Sequence, residues 1–145
     1  MSATADPAEG HRSLADKLVT PGSIVQEIGY DDDVDEDLRR AVQERCGSPL
    51  VGDDYDDVVD TVLLWWRDDD GDLVDVLVDA LGPLAENGVI WLFTPKSGRP
   101  GHVEPSDINE AAPTAGLTQT TSLSAGRDWS GARLVSPRTS RSSRR

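Results

Sequence analysis

Cysteine, histidine and phenylalanine are scarce in this chain, and each scarcity narrows what the protein can be. Among 145 residues there are one cysteine, two histidines and one phenylalanine. A single thiol makes no intramolecular disulfide, which agrees with a reducing compartment. Cys46 precedes Gly47 near an expected helix end, and no histidine follows it at a triad-like spacing. A small residue at a helix terminus is therefore favoured over a reactive thiol aided by Arg45. No run of about 18 apolar residues exists, so no membrane-spanning helix is expected. The opening stretch MSATADPAEGHRSLADKL is polar and lacks the apolar core of a secretion signal. A cytoplasmic protein without a membrane partner is the expectation.

Positive charge is also in short supply. Fourteen Lys and Arg face 27 Asp and Glu, for a net charge of −13. Between Glu27 and Asp79 stand 19 acids against Arg39, Arg40, Arg45 and Arg67. Such a surface repels nucleic-acid phosphates and attracts basic partners or cations. The domain is thus expected to bind a basic protein and not to bind DNA directly. From Ser136 the balance reverses: SPRTSRSSRR carries four arginines and no acid. Residues 1–12 and 138–145 read as disordered ends around one domain at 13–137, long enough to bury a core.

Against these absences stands one nearly complete β-α-β unit, from Val58 to Lys96. VVDTVLLWW is almost continuously apolar, as a central strand buried on both faces would be. DLVDVLVDALGPLAENG follows with Leu73, Leu77, Ala80, Leu81 and Leu84 at helical spacing, and with Asp75 and Asp79 on the wet side. The helix is expected to loosen near Gly82-Pro83 and to stop at Asn87-Gly88. VIWLFTPK is the second strand. Two strands joined by a helix imply a parallel sheet.

The flanks extend the pattern. Ser13 to Leu18 suits a short helix and SIVQEIGY a strand. A helix carrying Leu38, Ala41 and Val42 follows, with Asp35 to Asp37 opposing its positive dipole end and Gly47 ending it. Pro49 to Gly52 reads as a short edge strand. Ser106 is the expected N-cap of a helix through Ala112. LTQTTSLSA and ARLVSP form an antiparallel hairpin around the turn GRDWSG. The predicted fold is a Rossmann-like three-layer α/β/α domain, mostly parallel, with a C-terminal antiparallel hairpin.

Such folds grip nucleotides with a Gly-rich turn after the first strand, where backbone amides and a helix N-terminus hold an anion. Here that position reads Glu27-Ile28-Gly29-Tyr30-Asp31-Asp32-Asp33. Three carboxylates stand where a pyrophosphate or an amino-acid carboxylate would sit, and like charges about 4 Å apart repel by roughly 1 kcal/mol in water. The turn argues against a dinucleotide and weakens the case for S-adenosylmethionine, so no cofactor is expected. An EF-hand reading also fails, because placing Gly71 at the sixth position puts Trp66 first and Leu77 twelfth. No metal site is expected.

If a small-molecule site persists at the carboxyl edge of the sheet, its lining would be Glu27, Gly29, Asp60, Trp66 and Lys96. Lys96 is either an anion contact or a rim lysine pairing with Asp68 to Asp70. Trp65 or Trp66 could line the crevice with Trp91, although core packing is favoured; Trp65 and Trp66 are adjacent and face opposite sides of the sheet. His102 reads as plain surface. Ser130 reads as hairpin-turn chemistry, since no G-x-S-x-G elbow surrounds it. No catalytic residue is expected.

VVDTVLLWW, VIWLFTPK, HVEPSDINEAAPTAGL and DWSGARLV together resemble the bacterial family known as domain of unknown function 3052, in its acidic actinobacterial form. The resemblance covers about residues 13 to 137. Its best markers are Trp91 with Pro95-Lys96, and Asp128-Trp129-Ser130-Gly131 leading into Leu134-Val135. It implies a reduced relative of class I methyltransferases, with no established activity. The resulting expectation is a non-catalytic binding or regulatory module. The alternative is a degenerate methyltransferase-like protein that binds a small molecule.

Overall fold

A computed structural model gives the structure of the protein and describes residues 7–52 and 54–136. Strands β1 (Val25–Ile28), β2 (Val59–Trp65), β3 (Leu84–Pro95), β4 (Thr118–Ala125) and β5 (Trp129–Val135) form one mixed sheet in the order β1-β2-β3-β5-β4. The first three run parallel, with Ile28 opposite Leu64 and Leu64 opposite Leu92. β5 then lies antiparallel to both β3 and β4. The α/β class, the parallel centre and the closing hairpin all follow the sequence expectation.

Strand alternation decides which helix each side chain meets. Leu63, Trp65, Trp91 and Phe93 point to one face, where Ala15 and Leu18 of α1 (Pro7–Leu18) and Leu38 and Val42 of α2 (Glu36–Cys46) cover them. Val62, Leu64, Ile90 and Leu92 point to the other, under Leu77 and Ala80 of α3 (Leu73–Leu81) and Ile108 and Ala112 of α4 (Pro105–Thr114). β2 is therefore buried on both faces, which is why its sequence is a continuous apolar run. Each such side chain, fully buried, contributes about 1.5–3 kcal/mol.

The four tryptophans are core residues. Trp65 packs its ring 4.7 Å from Phe93 and, edge-on, 4.9 Å from Trp129. Trp91 donates its indole N–H to the Leu18 carbonyl at 3.1 Å, tying α1 to β3.

Several boundaries differ from the sequence reading. α1 begins at Pro7, inside the stretch expected to be disordered. It has something to hold it: Ala15 and Leu18 pack into the core, and His11 Nε2 lies 3.3 Å from Asp35 Oδ2. Residues 1–6 and the arginine-rich end at 138–145 lie outside the described residues. The expected edge strand at Pro49 to Gly52 is a single bridge. The Val51 amide donates to the Val25 carbonyl and the Val51 carbonyl accepts from Glu27.

Helix α3 stops at Leu81, well before Asn87-Gly88. Pro83 has no N–H to continue it, and its carbonyl instead accepts from the Val59 amide as β3 begins. Asn87, at φ 70°, and Gly88 are then absorbed as an irregularity within β3, whose register against β2 shifts between Val59 and Thr61. α4 starts with Pro105 in its first turn rather than with Ser106 as N-cap, and it runs through Pro113 to Thr114. Trp129, Ser130 and Gly131 belong to β5 rather than to a turn, with Ser130 opposite Thr94.

Candidate functional site

The carboxyl edge of β1 is where a Rossmann-like sheet would receive a ligand. Gly29 ends the strand there at φ 85°, and a Cβ on it would lie 2.2 Å from the Trp65 carbonyl oxygen. Backbone meets backbone at this point, and only glycine permits it. The chain then runs through Asp31–Asp33 to Asp35, which caps α2 by accepting from the Leu38 amide at 3.0 Å.

Arg67, just beyond the end of β2, fills the space between that turn and the sheet. Its Nη1 donates to the Gly29 carbonyl at 2.8 Å and to the Trp65 carbonyl at 3.1 Å. Its Nε donates to Asp33 Oδ2 at 3.1 Å, and its Nη2 makes a second, short bond to Asp33 Oδ1. The guanidinium carbon sits 5.2 Å from the centre of the Trp129 ring, whose indole N–H donates to the Asp33 carbonyl at 3.1 Å. Asp70 adds a further ion pair at 3.3 Å. Burial opposes the Arg67 charge, but the bonds to Asp33 and Asp70 outweigh it and raise the guanidinium pKa. The same hydrogen bonds lower the Asp33 pKa.

Glu27 is committed in a similar way. Its carboxylate is 7% exposed and receives both Arg39 Nε, at 2.6 Å, and Arg39 Nη2, at 2.8 Å. The Trp65 indole N–H donates to it as well, at 2.9 Å. Arg39 is held more firmly protonated by this bidentate bond, against the cost of its burial. Tyr30 lies over the same guanidinium at 4.4 Å and donates its hydroxyl to Glu36 at 2.6 Å, which raises the phenol pKa and lowers that of Glu36.

The five residues expected to line one site do not converge. Glu27 faces α2, whereas Trp66 is buried on the opposite face, where it borders a shallow cavity of about 400 Å³ with Asp72, Val103 and Asp107. Asp60 stands at the amino end of β2 and accepts from the Ile24 amide at 2.8 Å, so it lies at the other edge of the sheet. Among the described residues, no ion pair joins Lys96 to Asp68, Asp69 or Asp70. Its Nζ donates to Ser124 Oγ at 2.5 Å and to the Gly126 carbonyl at 3.0 Å, pinning the β4–β5 turn. His102, read as plain surface, hydrogen-bonds through Nδ1 to the Pro95 carbonyl at 2.9 Å.

Cys46 is the buried last residue of α2, and burial raises its thiol pKa while Arg45 works the other way. Among the described residues, one set of metal-capable atoms lies within 4.8 Å of one another: those of His11, Asp35 and Asp37. Asp35 is already the α2 cap and Asp37 pairs with Arg40, so both carboxylates serve the fold.

Arg67 and Arg39 are the side chains that sequence reasoning passed over. A weak signal was present: Arg67 is the first charged residue after the long apolar run of β2, which places a cation at the carboxyl edge. Nothing in the sequence paired it with Asp33, 34 positions away.

A sheet ordered β1-β2-β3-β5-β4, flanked by two helices on each face, defines a Rossmann-like protein of the class I methyltransferase fold. Solved structures agree. A SAM-dependent methyltransferase from Aquifex aeolicus superposes with a TM-score of 0.59 over 90% of this chain and 98% of its own, at 10% identity. A TehB-like SAM-dependent methyltransferase from Corynebacterium glutamicum gives 0.54 over 88% and 87%, at 14% identity. At these identities the likeness is one of fold. Within that fold, the chain belongs to the family described as protein of unknown function DUF3052, whose model matches residues 15–138. An uncharacterized protein of Mycobacterium tuberculosis and one of Mycobacterium bovis are each 60% identical to it over 115 residues, spanning 79% of this chain and 72% of theirs. No helix among the described residues is long and apolar enough to cross a membrane.

Proposed function

We propose that this chain is a non-catalytic binding module of the cytoplasm that uses a methyltransferase-like frame and engages a basic protein through its acidic surface. The observation that carries this reading is the Arg67–Asp33–Gly29 contact. It places the protein's own side chains between the turn after β1 and the sheet, where a Rossmann-like fold would receive a ligand. The net charge of −13 supports a basic partner. Pull-downs from the native cell at low and high salt test it. The expected partners are basic and dissociate as salt rises. Partners retained unchanged at high salt contradict the electrostatic account.

The fold likeness favours one other reading, a degenerate small-molecule site at the carboxyl edge built around Gly29. In that reading Glu27, Asp60, Trp66 and Lys96 would have to leave their present partners or faces before sharing a ligand. Titration with S-adenosylmethionine separates the two.

A further inference from the structure

β1 is an edge strand, paired along its length with β2 and bridged on its outer side by Val51. Against it and α3 lies a cleft of about 680 Å³. Val58, Val76 and Pro83 give it apolar walls and Tyr55 an aromatic one. Asp56, Asp57 and Asp79 bring three carboxylates to the same space. No ion pair among the described residues engages any of the three; Arg39, Arg40, Arg45, Arg67 and Arg99 pair with other acids.

The second observation is Gln26. It is 3% exposed and lines this cleft. Its neighbours in alternation, Ile24 and Ile28, pack against the α3 side, so its side chain points to that face. Nε2 donates to the Gly52 carbonyl at 3.1 Å, which fixes the amide's orientation. Oε1 is buried without a hydrogen-bond partner. An orphaned acceptor of this kind is costly and calls for a donor. Asp56, Asp57 and Asp79 in the same cleft favour a positively charged donor.

A single metal ion does not meet the geometry. The acids of the cleft do not bring their oxygens within 4.8 Å of one another, as the set at His11 does. Dispersed carboxylates, one inward acceptor and apolar walls between them suit a chain with several separated charges. We propose that this cleft binds a free aliphatic di- or polyamine. One ammonium donates to Gln26 Oε1, the methylenes lie on Val58 and Val76, and the remaining ammonium groups face Asp79 and the Asp56-Asp57 pair. Tyr55 lines the same space and brings an aromatic ring to it.

Calorimetric titration of the full chain with spermidine at low salt tests the proposal. Parallel arms use Mg²⁺ and Nα-acetyl-lysine methylamide, the latter standing for a lysine of a protein. The expected result is saturable binding of one spermidine, with neither alternative matching its affinity. Asp79→Asn on the exposed side of α3 should weaken binding about fivefold, as one nearby charge in water would. Gln26→Leu, in a protein shown folded by circular dichroism, should weaken it about tenfold or more. Asp107→Asn, an acid outside the cleft, should leave it unchanged. The proposal is overturned by absent saturation, by Asp107→Asn matching Asp79→Asn, or by equal affinity for Mg²⁺ or the lysine derivative.

Discussion

Arg67 Nη1 donates to the Gly29 carbonyl at 2.8 Å, across 38 positions of sequence. Two features of this turn depend on contacts within the protein. The glycine is present, and it permits a close approach between the end of β1 and the Trp65 carbonyl of β2. The positive group that anchors the turn is the Arg67 side chain, bonded to both Gly29 and Asp33. The three acids after Gly29 are accordingly not all exposed to one another's repulsion, because Asp33 is turned onto Arg67.

Gly29→Ala tests the close approach. A Cβ 2.2 Å from the Trp65 carbonyl oxygen requires the strands to shift, and φ 85° adds strain for any L side chain. The expected loss is about 2–4 kcal/mol in urea unfolding. A change below about 0.5 kcal/mol would mean that the strands do not meet there.

The Arg67–Asp33 bond has a defined pH signature. Arg67 lowers the folded-state pKa of Asp33 below its unfolded value. The stabilisation is therefore fully present above the unfolded pKa, about 3.9, and is lost as pH falls through the folded one. An NMR titration of the Asp33 carboxyl should give a midpoint below that ordinary value. In Arg67→Gln the midpoint should rise back toward it.

Glu27 and Arg39 form a pair whose partners are unequal in burial, with side-chain exposures of 7% and 21%. Removing Arg39 alone strands the more buried carboxylate, so Arg39→Met should cost about 3 kcal/mol. The double variant Glu27→Met with Arg39→Met should cost less than Arg39→Met does alone, since no unpaired charge remains. Urea unfolding of the full cycle measures both.

Trp65→Phe separates packing from hydrogen bonding in the same cluster. The smaller ring leaves a void beside Phe93 and Trp129 and takes one donor from Glu27. A loss of about 1–3 kcal/mol is expected. Glu27→Gln introduced into that background should then cost less than it does in the parent chain, and chemical denaturation reads the difference.

The frame was legible because it is written in periodicity. β2 is apolar almost throughout since both its faces are covered, and the helical spacing of Leu73, Leu77 and Ala80 places α3. Element ends were less legible where backbone chemistry competes. Asn87-Gly88 carries a helix-stop signature, yet Pro83 ended the helix first and the sheet took up the rest. The candidate site was least legible. Residue type and strand position group Asp60 and Lys96 with Gly29, but Asp60 sits at the amino end of β2 and Lys96 turns to the β4–β5 hairpin. Pairings such as Arg67 with Asp33 or Arg39 with Glu27 arise only once distant segments are side by side, and no local pattern encodes them.

With Arg67 and Asp33 filling the space beside the end of β1, S-adenosylmethionine is expected to find no site there. Calorimetric titration of the full chain with S-adenosylmethionine decides this. No saturable heat up to millimolar ligand is predicted. Saturable one-to-one binding that is strengthened by Arg67→Ala would contradict it, because the crevice would then be a working pocket that Arg67 merely obstructs.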